Sequence, residues 1–214
     1  MIPDRQVWFW ATALLLIGAL GVVLGTAVGS QGWEVWWSAA QDPVLQQIVR
    51  DIRLPRSLGA WVGGALLGLA GAIAQGLFRN PLADPYLLGS ASGASLGVSL
   101  YLSLFGGSVL ATHWWPRLGM TGAAFAGAVL AVVLTLTLAR GVQQTLRLLL
   151  AGVVVGVVLG ALASLVALFE PQVLQAMQGF MLGSTSFVGW TSCALMAVAL
   201  SLSLIVAVAL ARVL

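Results

Sequence analysis

Lysine is missing altogether from this chain of 214 residues: all nine basic residues are arginines, at positions 5, 50, 53, 56, 79, 117, 140, 147 and 212. A Walker-type phosphate loop needs a lysine on the β- and γ-phosphates, so the chain is not itself such an ATPase. Cysteine and histidine occur once each, as Cys193 and His113. That excludes a disulfide framework and any Cys/His cluster, so no metal site is expected. Charge is scarce too. Only 7% of residues carry one, against about a quarter in a soluble domain. The arginine excess gives a pI near 10.0, but it forms no extended basic face, and nucleic acid is not an expected partner.

What is there is apolar. Hydrophobic residues make up 60% of the chain and the mean hydropathy is +1.05, which only an all-α, polytopic membrane helix bundle accommodates. Uninterrupted apolar runs predict about six spans in one domain over 1–214, near 7–28, 57–78, 88–110, 119–139, 146–169 and 190–211. Trp8 and Trp10 anchor the first at an interface. Its apolar stretch exceeds the ~7–15 residues of a signal peptide, and no A-x-A site follows. Residues 29–56 are mixed, with tryptophans, acids and arginines, and read as interfacial; Glu170–Gly189 reads as a short amphipathic hairpin or helical piece.

An even number of spans puts both ends on one side. An N-terminus in the cytoplasm leaves Arg5, Arg79, Arg140, Arg147 and Arg212 inside, and Arg50, Arg53, Arg56 and Arg117 outside. Five against four satisfies the positive-inside rule narrowly, and three arginines still crowd one outer mouth.

Small residues recur every four positions: Ala60, Gly64, Gly68, Ala72 and Gly76 in the second span, Gly152, Gly156, Gly160 and Ser164 in the fifth. This spacing suits close helix packing in lipid, the favoured reading, and does not exclude a narrow path between subunits, which also needs small side chains. Between the second and third spans, Gln75-GLFRNPLADPYLL-Gly89 holds Pro81 and Pro85, which interrupt helices. Asp84 before Pro85 predicts a helix N-cap. The break is an ordinary turn or the floor of a path; Gln75 and Asn80 bond between helices or line that path. GASLG at 93–97 matches a nucleophile elbow, but it lies within an apolar helix without a histidine base, and no catalytic residue is expected. Cys193 reads as a packing residue and His113, beside Trp114 and Trp115, as an interfacial one.

The run RLPRSLGAWVGGALLGLAGAIAQGLFRNPLADPYLLGSASGASLG, with RLLLAG at 147–152 and MLGS followed by Trp190, closely resembles the FecCD-type permeases of binding-protein-dependent ABC importers. That family carries iron–siderophores, haem or vitamin B12. The resemblance implies the first part of a type II permease fold of about ten helices, in the cell (inner) membrane. It implies a second permease copy as homodimer or pair, a separate ABC ATPase subunit holding the ATP and magnesium (no cofactor in this chain), and a periplasmic or lipid-anchored substrate-binding protein. Arg53 and Arg56 match the docking positions for that protein. Asn80, Leu82, Gln144 and Thr145, with Gln75, match the inner gate or pathway, and Gly64, Gly68, Gly152, Gly156 and Gly160 are taken as packing positions. The family continues with a coupling loop and about four more helices after the sixth span, so the chain reads as a fragment or truncated product. The alternatives are an ion-coupled secondary transporter, which lacks intramembrane acids here, and a non-transporting remnant.

Overall fold

The computed structural model describes residues 5–29, 32–33, 42–106, 114–140, 145–186 and 188–211. They form α1 (Arg5–Ala27), a two-residue ladder of β1 (Val28–Gly29) with β2 (Gly32–Trp33), α2 (Pro43–Ile48), a π-helical turn (Val49–Arg53), α3 (Leu54–Phe78), α4 (Ser90–Phe105), α5 (Trp114–Leu138), α6 (Thr145–Phe169), α7 (Pro171–Leu182) and α8 (Trp190–Leu210). The chain divides into two compact units, residues 1–69 with 185–214 and residues 70–184.

In the first unit, glycines bring helices together. A Cβ on Gly25 would lie 2.7 Å from Ser57 Oγ, and one on Gly18 would strike the Trp61 ring, so α1 runs antiparallel to α3. A Cβ on Gly59 would lie 2.5 Å from Val188 and 3.2 Å from Met196, and the Trp190 indole meets the backbone at Arg50. α8 therefore runs with α3, and the first and last helices begin and end on one side.

In the second unit, α4 and α5 are antiparallel with backbones in contact: Gly93 lies on Gly127, Gly97 on Ala123, and Gly119 under the Tyr101 ring. α6 runs parallel to α4, with Gly156 and Gly160 beside Ser92. Val98 and Leu102 of α4, Ala167 of α6, and Val173 and Met177 of α7 share one buried cluster. Ser103 Oγ donates to the Glu170 carboxylate where α6 turns into α7, which resolves the Glu170–Gly189 stretch into a helix of 12 residues followed by a loop.

Among the described residues, five helices are long and apolar enough to cross a membrane. Residues 107–110 of the expected span 88–110 lie outside the described residues, and the helix described within it is the 16 residues Ser90–Phe105. At 1.5 Å per residue these reach about 24 Å of a ~30 Å core. The interfacial segment ahead of residue 57 is helical from Pro43, in a run of 36 residues continuous to Phe78. Asp84 caps no helix, for reasons given below. The chain is a multi-pass membrane protein.

Candidate functional site

The candidate positions Arg53 and Arg56, and Gln75, Asn80 and Leu82, lie toward the two ends of α3. At the first, the Asp42 carboxylate accepts from Val44 N–H at 2.9 Å, with Pro43 in the first turn, so α2 starts as a capped helix. Pro55 ought to break it, because its ring would meet the carbonyl four residues back, at Asp51. The chain instead widens into the π turn, where Leu54 N–H bonds Val49 O, and continues as helix with Pro55 buried. Arg50 is exposed; Arg53 and Arg56, three residues apart, are half-buried. The Trp190 indole N–H donates to Arg50 O at 3.2 Å.

At the second end, Arg79 leaves α3 with φ 47, in the left-handed region. Its N–H bonds Gly76 O at 3.2 Å, and Asn80 N–H bonds Gln75 O at 3.1 Å, closing a Schellman motif without the usual glycine. Two like turns follow. Asn80 Oδ1 accepts from Leu82 N–H at 2.9 Å and Asn80 O from Ala83 N–H at 3.0 Å. Asp84 Oδ1 accepts from Tyr86 N–H at 2.7 Å and Asp84 O from Leu87 N–H at 3.2 Å. In both, a proline holds the second position at the φ such turns require. Asp84 thus initiates a turn, and the helix opens only at Ser90, after Gly89 at φ 78.

The double turn is held on all sides. Gln75 Nε2 donates to Pro81 O at 3.0 Å, across the loop rather than to another helix. Thr135, fully buried on α5, donates to Leu88 O at 3.0 Å. Ala83 packs with Ala74 and Phe78, against Leu87, Leu88, Leu148 and Leu149. Leu82 projects outward, 88% exposed.

Gln75, Asn80 and Leu82 therefore gather at one end of the second unit together with the start of α6 at Thr145, while Gln144 and His113 lie outside the described residues. Gly152 presses on the Leu87 carbonyl, and Gly156 and Gly160 lie in ordinary contact with Ser92. Gly64 and Gly68 face open space: among the described residues, nothing beyond their own helix lies within 4 Å of a Cβ built on either. Sequence reasoning missed Thr135 and the pairing of Gly93 and Gly97 with α5. A hydroxyl in the apolar run of α5, one of its three threonines, and the glycines four apart at 93 and 97 on α4 were the available signals.

The model of the FecCD transport family matches residues 12–214. The vitamin B12 import system permease protein BtuC of Citrobacter koseri is 35% identical over 199 residues, 91% of this chain. Its counterpart from Escherichia coli O6:H1 is 36% identical over 197 residues, 90% of the chain. The chain spans 57% of the length of each of these relatives. A solved transporter assigned to the metal-chelate ABC type, in an inward-facing conformation, superposes with a TM-score of 0.77 at 27% identity, over 97% of this chain and 62% of its own. With a family model matched along nearly its whole length, the chain belongs to the FecCD transport family.

Proposed function

We propose that the chain forms part of the permease subunit of an ABC importer for a large metal chelate of the corrinoid, haem or iron–siderophore class. What carries the reading is the family match over residues 12–214, with relatives named as vitamin B12 import permeases. In it, a separate subunit hydrolyses ATP, two permease subunits enclose the path, and a binding protein delivers the chelate. The N-terminus lies in the cytoplasm, which puts the Arg53 end of α3 outside and the Asn80 end inside.

The chemistry of each end suits its task. A soluble partner must be captured reversibly from water, and Arg50, Arg53 and Arg56 offer acidic lobes both steering and register. The inner gate, formed by Asn80, Leu82, Gln144, Thr145 and Gln75, must close without deep desolvation. A turn whose polar groups already bond one another, with Leu82 exposed at its tip, meets that need. Ion coupling is disfavoured, because Asp84 is the only carboxylate between residues 57 and 169 and its Oδ1 is engaged by the Tyr86 N–H.

The test is uptake into proteoliposomes holding the intact permease, its binding protein and ATP. Accumulation should require the separate ATPase. Accumulation driven by a proton or sodium gradient alone would overturn the proposal.

A further inference from the structure

The π turn leaves the Arg50 carbonyl without a donor in its own helix. In an α-helix, Arg50 O would accept from the N–H four residues on, at Leu54; that N–H is bonded to Val49 O. In a π-helix it would accept from the N–H five residues on, at Pro55, which has none. The Trp190 indole N–H meets this orphan carbonyl at 3.2 Å, from the first residue of α8.

We propose that Trp190 is a positioning residue for partner docking: its N–H holds the π turn in register, so that Arg50 and Arg53, ahead of Pro55, and Arg56, behind it, present one surface. Arg56 belongs to a segment fixed by Ser57 against Gly25 and by Gly59 against Val188 and Met196. Arg50 and Arg53 lie within the only π-helical turn among the described residues, Val49–Arg53, ahead of Leu54. Slipping by one residue from π to α bonding at Leu54 rotates the chain ahead of it by about 100° relative to α3. Such a slip would carry Arg50 and Arg53 away from Arg56 and divide the charge surface without removing a charge. The indole bond favours the undivided arrangement, because α bonding would give Arg50 O an in-helix donor and leave the indole N–H without its acceptor.

The inference rests on the docking reading, and two readouts separate them. Trp190→Phe keeps the ring and removes the N–H. In the intact permease it should raise the Kd for the binding protein about threefold to tenfold, as one net hydrogen bond would, with the dependence on salt unchanged since every arginine remains. On a Pro55→Ala background the carbonyl has an in-helix donor in either register, so Trp190→Phe should then change the Kd no further. A purely structural tryptophan would lower the melting temperature equally on both backgrounds and leave the Kd alone. Spin labels at Gln46→Cys and Leu202→Cys, with Cys193→Ser, read the turn without any partner, and Trp190→Phe should shift or broaden their distance distribution. If that distribution and the Kd both stay at the wild-type values, the positioning role is overturned. If the labels move while reversing Arg53 and Arg56 leaves binding intact, the lock stands and the docking reading fails.

Discussion

Gly152→Ala is the sharpest test of how the loop after α3 is held. A Cβ at 152 would strike the Leu87 carbonyl oxygen, and would lie 3.0 Å from Leu87 C and 3.2 Å from Leu88 Cα. All three are backbone atoms, so no rotamer change relieves the clash, and the loop must move away from α6. Overpacking of this kind costs about 1–3 kcal/mol, only partly offset by the 0.5–1 kcal/mol or so that alanine gains over glycine inside a helix. Gly156→Ala is the control one turn along. Its Cβ would find Gly89 Cα and Ser92 Oγ at 3.7 Å, ordinary contact, so only the helix gain remains. The two substitutions are chemically identical and should move thermal unfolding in detergent in opposite directions, by a few degrees each. Equal shifts of the same sign would refute the claim that the loop backbone rests on Gly152.

Two further outcomes are expected. Arg79→Gly should raise stability by about 1 kcal/mol, because a left-handed backbone strains any residue with a Cβ and suits glycine; a lower melting temperature would mean that contacts of the arginine side chain outweigh that strain. Reversing Arg53 and Arg56 together to glutamate should weaken binding-protein association on the order of tenfold to a thousandfold, with lysines at the facing acids of the partner restoring part of the loss, whereas a well-folded double mutant that binds normally at every salt concentration would remove the docking assignment.

Continuous apolar runs made α1, α6 and α8 legible, since nothing within them competes with helix. The helix ahead of residue 57 was not legible. Its arginines, glutamines and Asp51 read as a surface segment, and only tertiary contact reveals that Pro55 is accommodated by a wider turn. Asp84 shows a subtler limit. An Asx turn and a helix N-cap begin alike, with a carboxylate accepting from a nearby N–H. What distinguishes them is whether the following N–H groups continue the ladder, and here Gly89 N–H bonds Tyr86 O instead. Four-residue spacing likewise marked the glycine stripes of both α3 and α6 without saying which has a neighbour. Gly152 touches backbone while Gly64 and Gly68 touch nothing described, because spacing specifies a face and not what lies against it.

The shortness of α4 bears on how the protein enters the membrane. Sixteen residues that include Ser90, Ser92, Ser95, Ser99 and Ser103 make a weak candidate for insertion during synthesis, where a segment is selected by length and apolarity. α5 supplies the remedy, since its backbone closes on Gly93 and Gly97 and small-residue contacts of that kind drive helix association within lipid. Insertion of α4 as a pair with α5 is the expected consequence, and a bulky residue at Gly127, whose Cβ would meet the Gly93 carbonyl, is expected to lower the fraction of α4 that enters the bilayer.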